Sequence, residues 1–492
     1  MKIKLLFIAS FVFSFFTTSL NAQTQLGTDI NGELAGDESG SRVSISRDGT
    51  TLAIGAYKND GNGNSSGHAR IYRYNGTNWI KLGADLDGEA AVDQFGIGIS
   101  LSDDGNIVAI GSNQNSQSAP ASGHVRIYSY NGTEWVQLGA DIDGLPHAEN
   151  LSVPALSADG TIVAIGALNH DGTGDGIGRV VVYNYDGSQW VQMGNNIYGE
   201  ANADFSGESV SIAANGLRLA IGATGNDDNG SSSGQVRVYD YNGTNWVQTG
   251  NDINGEGISD FSGYVSFSGD GTTLAVGARF NNGNGVDSGQ VKVYRYNGTN
   301  WVRIGNNIYG EAAGDALGSS VSLSFDGTIL AAGAPRNNGN GTRSGSTRIY
   351  QYNGTNWIQR GIDINGEAAD DYSGFGVSLS SNGTRVAIGA LLNDGNGTDS
   401  GHVRVYNLSA ILSSDSFVLE NFKIFPNPTS EKVIITLQEN LQLEKVTIYN
   451  TLGQFIKTEK NNIINVTGFA KGSYFFEIIT NKGKATKTIV IQ

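Results

Sequence analysis

The stretch YNGTNWVQTG at residues 241–250 returns with small changes along most of the chain, and its spacing decides the architecture. All six tryptophans belong to it: Trp79, Trp135, Trp190, Trp246, Trp301 and Trp357, 55 or 56 residues apart. A period of that size marks an array whose units are single supersecondary elements. A second marker, the LAIGA-like segment, occurs seven times, with glycines at Gly55, Gly111, Gly166, Gly222, Gly277, Gly333 and Gly389. Seven against six means that one unit lacks its Trp strand.

One unit contains GYVSFS (263–268), TTLAVGA (272–278), QVKVYRY (290–296) and WVRIGNNI (301–308). These alternating or apolar runs, bounded by Gly, Asn and Asp, read as four antiparallel strands. The Asn-Gly and Asp-Gly pairs predict two-residue hairpins. Trp then opens the returning strand as core material, contributing roughly 4–6 kcal/mol gross per unit. Four strands in each of seven units predict an all-β chain built on a seven-bladed β-propeller. The unit without Trp is the last. Residues 24–33, TQLGTDINGE, match VQTGNDINGE (247–256), so they are expected to complete the seventh blade and close the ring.

Phe95-Gly96 and Gly333-Ala334-Pro335, with near copies such as Phe205-Ser206-Gly207, make residues 24–408 resemble the FG-GAP repeats of integrin α chains. That resemblance implies a propeller and, in the turn between the FG and GAP strands, a calcium loop. Here the turn is only SDDGNI (102–107) or SFDGTI (324–329), too short and carboxylate-poor for an ion that takes six to eight oxygens. Calcium, the one candidate cofactor, is instead looked for in the Asn/Asp/Gly-rich loops at 59–67 and 393–401, through Asp60, Asn62, Asp394, Asn396 and Asp399. The plainer reading of these residues is tight-turn chemistry.

The blade-to-blade connections reach the same face and repeat Gly-Glu-x-x-x-Asp. They supply the ligand-binding candidates Glu33, Asp37, Glu89, Asp93, Glu200, Asp204, Glu256, Asp260, Glu311, Asp315, Glu367 and Asp371, which can equally be turn caps. The third blade departs with GLPHAEN (144–150). Gly63–Gly67 and Gly230–Gly234 satisfy G-x-S-x-G, but that motif works on a strand-to-helix turn and these lie in loops. His68, His124 and His402 share one repeat position that elsewhere holds Arg179, Gln235, Gln290 and Ser346, while His147 and His170 fall in the third blade. No linear set of catalytic residues emerges, so the sequence leads us to expect a protein that is not an enzyme.

A net charge of −16 disfavours nucleic acid as a partner, and the absence of cysteine excludes disulfides and thiol chemistry. MKIKLLFIASFVFSFFTTSLNAQ has the basic start, apolar centre and small residue at Ala22 of a signal peptide, and no later stretch is apolar enough to be an integral membrane segment. Residues 422–492 change composition, with no Asp or Trp, and their strand-like runs predict a small C-terminal β-sandwich. FPNPTS (425–430), VTIYNTLGQ (446–454), GSYFFEI (472–478) and KTIVIQ (487–492) resemble the C-terminal sorting domain of type IX secretion substrates. That resemblance implies a Gram-negative source, the type IX machinery as partner, and an extracellular or outer-surface destination.

The expected division is signal peptide 1–22, propeller 23–408, linker 409–421 and sorting domain 422–492. The leading expectation for function is adhesion, with the Asn/Asp/Gly-rich face recognising a polysaccharide or surface protein. Its alternatives are a polysaccharide-active hydrolase or lyase, marked by an asymmetric pocket near blade three, and a structural surface-layer component.

Overall fold

A computed structural model describes residues 23–146, 149–169, 176–412, 422–438, 441–450, 455–481 and 483–492. The signal peptide, His147, His170 and most of the linker lie outside these residues. In the first blade the strands are Arg42–Ile45, Thr51–Ala56, His68–Tyr74 and Trp79–Lys81, paired in that order, with Leu86–Asp87 added beside His68 and Ala69. Six further antiparallel sheets repeat the pattern. In the last, Thr24–Gln25 pairs with Asn407 and Tyr406, and Ile30–Asn31 pairs with Val403 and His402, so the outer strand of the seventh sheet comes from the start of the chain.

Ring closure is also visible in the backbone. At the Asp-Gly and Asn-Gly turns, the N–H groups of Arg47, Asp103, Ala158, Ala214, Gly269 and Phe325 each donate to the carbonyl of the next in the series Arg47, Asp103, Ala158, Ala214, Gly269, Phe325, Ser381, and Ser381 donates back to Arg47, all at 2.7–3.0 Å. A cycle of seven hydrogen bonds leaves no gap in the circle.

The core lies between blades rather than within one. Ala53, Ile71 and Leu86 of the first blade pack with Phe95, Val108, Ile110 and Trp135 of the second. The LAIGA glycines let the sheets approach: a Cβ on Gly55 would sit 2.1 Å from the carbonyl oxygen of Gly96. Trp79, Trp135, Trp190, Trp246 and Trp301 each donate their indole N–H, at 2.7–3.1 Å, to a carbonyl of the preceding blade. Each stands 5.2–5.4 Å from its own blade's Tyr.

The hairpin before each Trp differs from the expected two-residue turn. It is a four-residue loop, Asn75 to Asn78 in the first blade, because the Asn75 carboxamide oxygen accepts the N–H groups of both Thr77 and Asn78 at 2.9 Å. Only Gly76 takes a positive φ. The side chain builds the turn, so two consecutive left-handed residues are not needed.

The C-terminal sandwich packs a three-stranded sheet (Phe422–Phe425, Lys432–Leu437, Ile463–Asn465) on a four-stranded one (Leu443–Asn450, Phe455–Glu459, Gly472–Thr480, Gly483–Ile491). Val433, Ile435, Val446, Ile448, Phe476, Ile478 and Ile489 fill the space between them.

Candidate functional site

The repeated aspartates are brought to one face and then turned inward. Asp37 is 2% exposed, and one of its oxygens accepts the N–H groups of Glu33 and Leu34 at 3.0 and 2.9 Å and the Asn59 carboxamide at 3.2 Å. Asp93, Asp204, Asp260, Asp315 and Asp371 accept the N–H groups of their own connections in the same way. In the third blade Glu149 fills the role, fully buried, paired with Arg179 at 2.5 Å and accepting the Leu145 N–H. These carboxylates hold the connections in shape. Glu33, Glu89, Glu200, Glu256, Glu311 and Glu367 are the partners that reach solvent, with side chains 34–57% exposed.

The calcium candidates do not form a cage. Asp60 spends a carboxylate oxygen on the Ser65 N–H at 2.7 Å, and Asp394 does the same for the Asp399 N–H at 2.9 Å. Asn62 and Asn396 turn their amide nitrogens to the carbonyls of Gly88 and Gly32. Asp399 occupies the left-handed region at φ 54°, as a turn residue. One carboxylate in the first loop and two in the second, each loop's leading Asp already spent on a backbone N–H, fall well short of the oxygens calcium takes, so the residues present do not fit that ion.

Histidines the sequence left unconnected acquire carboxylate neighbours. The structure groups His68 with Glu33 and Asp85, His124 with Glu89 and Asp141, and His402 with Glu367 and Asp29, the ligand atoms in each group lying within 4.8 Å of one another. Burial pushes the His68 and His402 imidazoles down to about 4 and moves His124 the same way, reinforced by Arg70, Arg404 and Arg126. All three are neutral rings at neutral pH. A fourth group, Glu200, Asp228 and Asp252, has Gln235 in place of histidine.

The seven blades cease to be alike at the axis. Opposite the seven LAIGA glycines stand Arg42, Gly98, Val153, Ser209, Tyr264, Ser320 and Gly376. A bulge between Ser206 and Ser209 adds Glu208 to the inner strand Ser206–Ile212. The resulting axial cavity, about 380 Å³, is lined by Arg42, Glu208, Tyr264, Arg279, Arg336 and Phe375 among others. The Tyr264 hydroxyl donates to Glu208 Oε1 at 3.0 Å, and the Thr224 hydroxyl donates to the other oxygen. Arg279 lies 5.2 Å from the Tyr264 ring centre and 4.9 Å from that of Phe280, and Arg336 approaches Phe280 to 5.2 Å. Burial and the Glu208 charge hold the Tyr264 phenol above its ordinary range, so it is a proton donor at rest. Glu208, Tyr264, Arg42 and Arg279 escaped the sequence reading because they come from blades one, four and five. The usable signal was their failure to repeat.

Residues 423–492 match the family described as secretion system C-terminal sorting domain. The tail is an export signal. Residues 31–72 match the FG-GAP repeat. The chain is therefore a secreted propeller scaffold carried by type IX secretion to the outside of the cell or its outer surface. No helix among the described residues is long and apolar enough to cross a membrane. Among curated proteins it resembles an ulvan lyase, NLR42, of Nonlabens ulvanivorans, 34% identical over 88 residues, which are 17% of this chain and 16% of that protein. The chain thus spans about one sixth of the length of the curated relative it matches.

Among solved structures it resembles the periplasmic gluconolactonase PpgL of Pseudomonas aeruginosa (TM-score 0.47, 16% identity, covering 67% of this chain and 86% of that one). It also resembles a putative 6-phosphogluconolactonase of Bacteroides uniformis (TM-score 0.47, 12% identity, 67% and 86%). A third likeness is to the hydrazine synthase of Kuenenia stuttgartiensis (TM-score 0.46, 12% identity, 74% and 94%). Nothing about activity is carried over from these folds.

The expectation that the chain is not an enzyme is corrected. A lyase is among its relatives, and the structure assembles His/carboxylate groups and an axial Glu–Tyr–Arg pocket. The expectation failed because it looked for linear motifs, whereas a propeller collects its axial groups from separate blades. The pocket is asymmetric, but all seven blades line it, and its charged groups come from blades one, four, five and six, with none from blade three.

Proposed function

We propose that the propeller is an extracellular polysaccharide-active enzyme whose chemistry takes place in the axial cavity, with the surrounding loop face holding the polymer. The observation that carries this reading is the Glu208–Tyr264 pair, 3.0 Å apart, set among Arg42, Arg279 and Arg336 at an axial position where the seven units differ. Arginines favour a carboxylate-bearing sugar, by charge and by planar hydrogen bonding. With that carboxylate neutralised, the proton on the adjacent carbon becomes acidic. Glu208 takes that proton, the glycosidic C–O bond one carbon further along breaks as a C=C bond forms, and Tyr264 protonates the departing oxygen. The proton on Glu208 then returns to Tyr264 along their hydrogen bond. This is a β-elimination, and its acid and base are already in contact. The exposed glutamates Glu33, Glu89, Glu200, Glu256, Glu311 and Glu367 rim the same face as hydrogen-bond acceptors for sugar hydroxyls.

This reading keeps the division into signal peptide 1–22, propeller 23–408, linker 409–421 and sorting domain 422–492. The purified protein, offered uronate-containing and neutral polysaccharides, ulvan included, should release products with a new ultraviolet-absorbing double bond from the former only. E208Q and Y264F should each lower the rate about 100-fold or more. Full activity in E208Q, or reducing ends appearing without the double bond, rules out the elimination; the second result makes the protein a hydrolase.

A further inference from the structure

The three His/carboxylate groups differ in what else holds their carboxylates. In the second blade Asp141 accepts two hydrogen bonds from Arg126, at 3.0 and 2.9 Å, and one from Gln137, while Glu89 also pairs with Arg126. In the first blade Lys81 sits on Asp85 at 2.9 and 3.1 Å. The repeat position of Lys81 is Gln25 in the closing segment, and its neutral amide donates to a single oxygen of Asp29 at 2.7 Å. Arg404, the cation beside Glu367, stands 3.5 Å from Oε1 and directs its other terminal nitrogen to the Asn365 carbonyl at 2.7 Å. Glu367 Oε2 faces the imidazole instead.

His402 is 1% exposed, and neither of its ring nitrogens has a hydrogen-bond partner. Its Nδ1 stops 3.8 Å from Glu367 Oε2, too far for a hydrogen bond. A gap of that size is what a small divalent ion spans, with bonds of about 2.0–2.1 Å to nitrogen and oxygen. A buried imidazole with no partner is costly unless something occupies its lone pair.

We propose that Asp29, Glu367 and His402 bind a divalent transition-metal ion of the zinc class, and that the ion fastens the N-terminal closing segment to the seventh blade. The imidazole nitrogen selects this class over calcium and magnesium, which take oxygen donors. Glu367, 45% exposed, leaves the fourth position to water. Asp29 comes from the first residues of the propeller and the other two ligands from its last repeat, so the bound ion acts as a clasp across the seam.

The test uses the purified full chain stripped of metal and titrated with Co²⁺, followed by its visible absorption, then with Zn²⁺ by thermal melting. One Co²⁺ should bind and be displaced by Zn²⁺, and Zn²⁺ should raise the melting temperature. H402Q should abolish both effects, D29N should weaken Co²⁺ binding at least roughly 10-fold, and H124Q should change neither. Glutamine already occupies this repeat position as Gln235 and Gln290, so the H402Q chain has a precedent within its own fold. No binding by folded wild type, binding that survives H402Q, or binding lost instead in H124Q would each overturn the proposal.

Discussion

The tryptophan seam and the axial mouth are built from the same seven repeats and have diverged to opposite degrees. At the seam, five indoles make the same hydrogen bond to the preceding blade, and six Tyr–Trp pairs keep ring separations of 5.2–5.4 Å. At the mouth, seven equivalent positions carry Arg, Gly, Val, Ser, Tyr, Ser and Gly. The seam is filled to interior density, where a changed side chain leaves a cavity or a clash. The mouth borders open space, so a new side chain there displaces water and is tolerated. Stability is concentrated where the units agree, and specific chemistry where they differ.

The strongest blow to this contrast falls on the seam at its join. Deleting residues 24–31 removes the two closing strands, the burial of Ile30 and Leu26, and the Leu26 carbonyl that accepts the Trp79 indole. Lost side-chain burial alone is about 3–6 kcal/mol, so the cooperative thermal transition should disappear or shift far down. A deleted chain that melts as the intact one does would show that the seam is not what closes the ring. Next in size, Trp135→Ala should lower unfolding free energy by about 3–5 kcal/mol in urea denaturation, while truncating the mouth residue Arg42 to Ala changes it far less.

An intermediate effect depends on pH. His68 is buried and its pKa is depressed to about 4, against 6.5 in the unfolded chain. A depressed pKa means that the stabilisation is present above pH 6.5 and is lost as pH falls towards and through 4. Its full size is about 3 kcal/mol. In metal-free buffer, H68Q should therefore show a shallower drop in melting temperature between pH 6.5 and 4 than wild type. Equal slopes would mean that His68 does not report the burial seen here.

The smallest effect separates one seam position from the others. Trp135 donates its indole N–H to Leu82 at 2.8 Å, whereas the Trp357 indole nitrogen is buried with no partner. Trp135→Phe should cost about 1 kcal/mol more than Trp357→Phe, measured by chemical denaturation.

The scaffold was legible because duplication writes a fold many times over. Each Trp, each LAIGA glycine and each Asn-Gly-Thr loop could be checked against its copies, and the tail motifs appeared in order at the end of the chain. The candidate site was less legible: Glu208 and Tyr264 lie one repeat apart and Asp29 falls in the segment expected to close the blade of His402, but nothing in the letters says that either pair turns its polar atoms toward one another. The exposed Glu and buried Asp of each connection also look alike as letters. What separates them is that one aspartate oxygen collects two backbone N–H groups and a carboxamide.

By itself, then, the sequence determined the unit, the number of units and the export signal, since each depends on local strand pattern, turn chemistry and period. Tertiary structure alone decided which side chains meet at the axis and across the closing seam. Those meetings depend on bending seven sheets around a circle, and a circle brings together residues from blades that the chain order keeps apart.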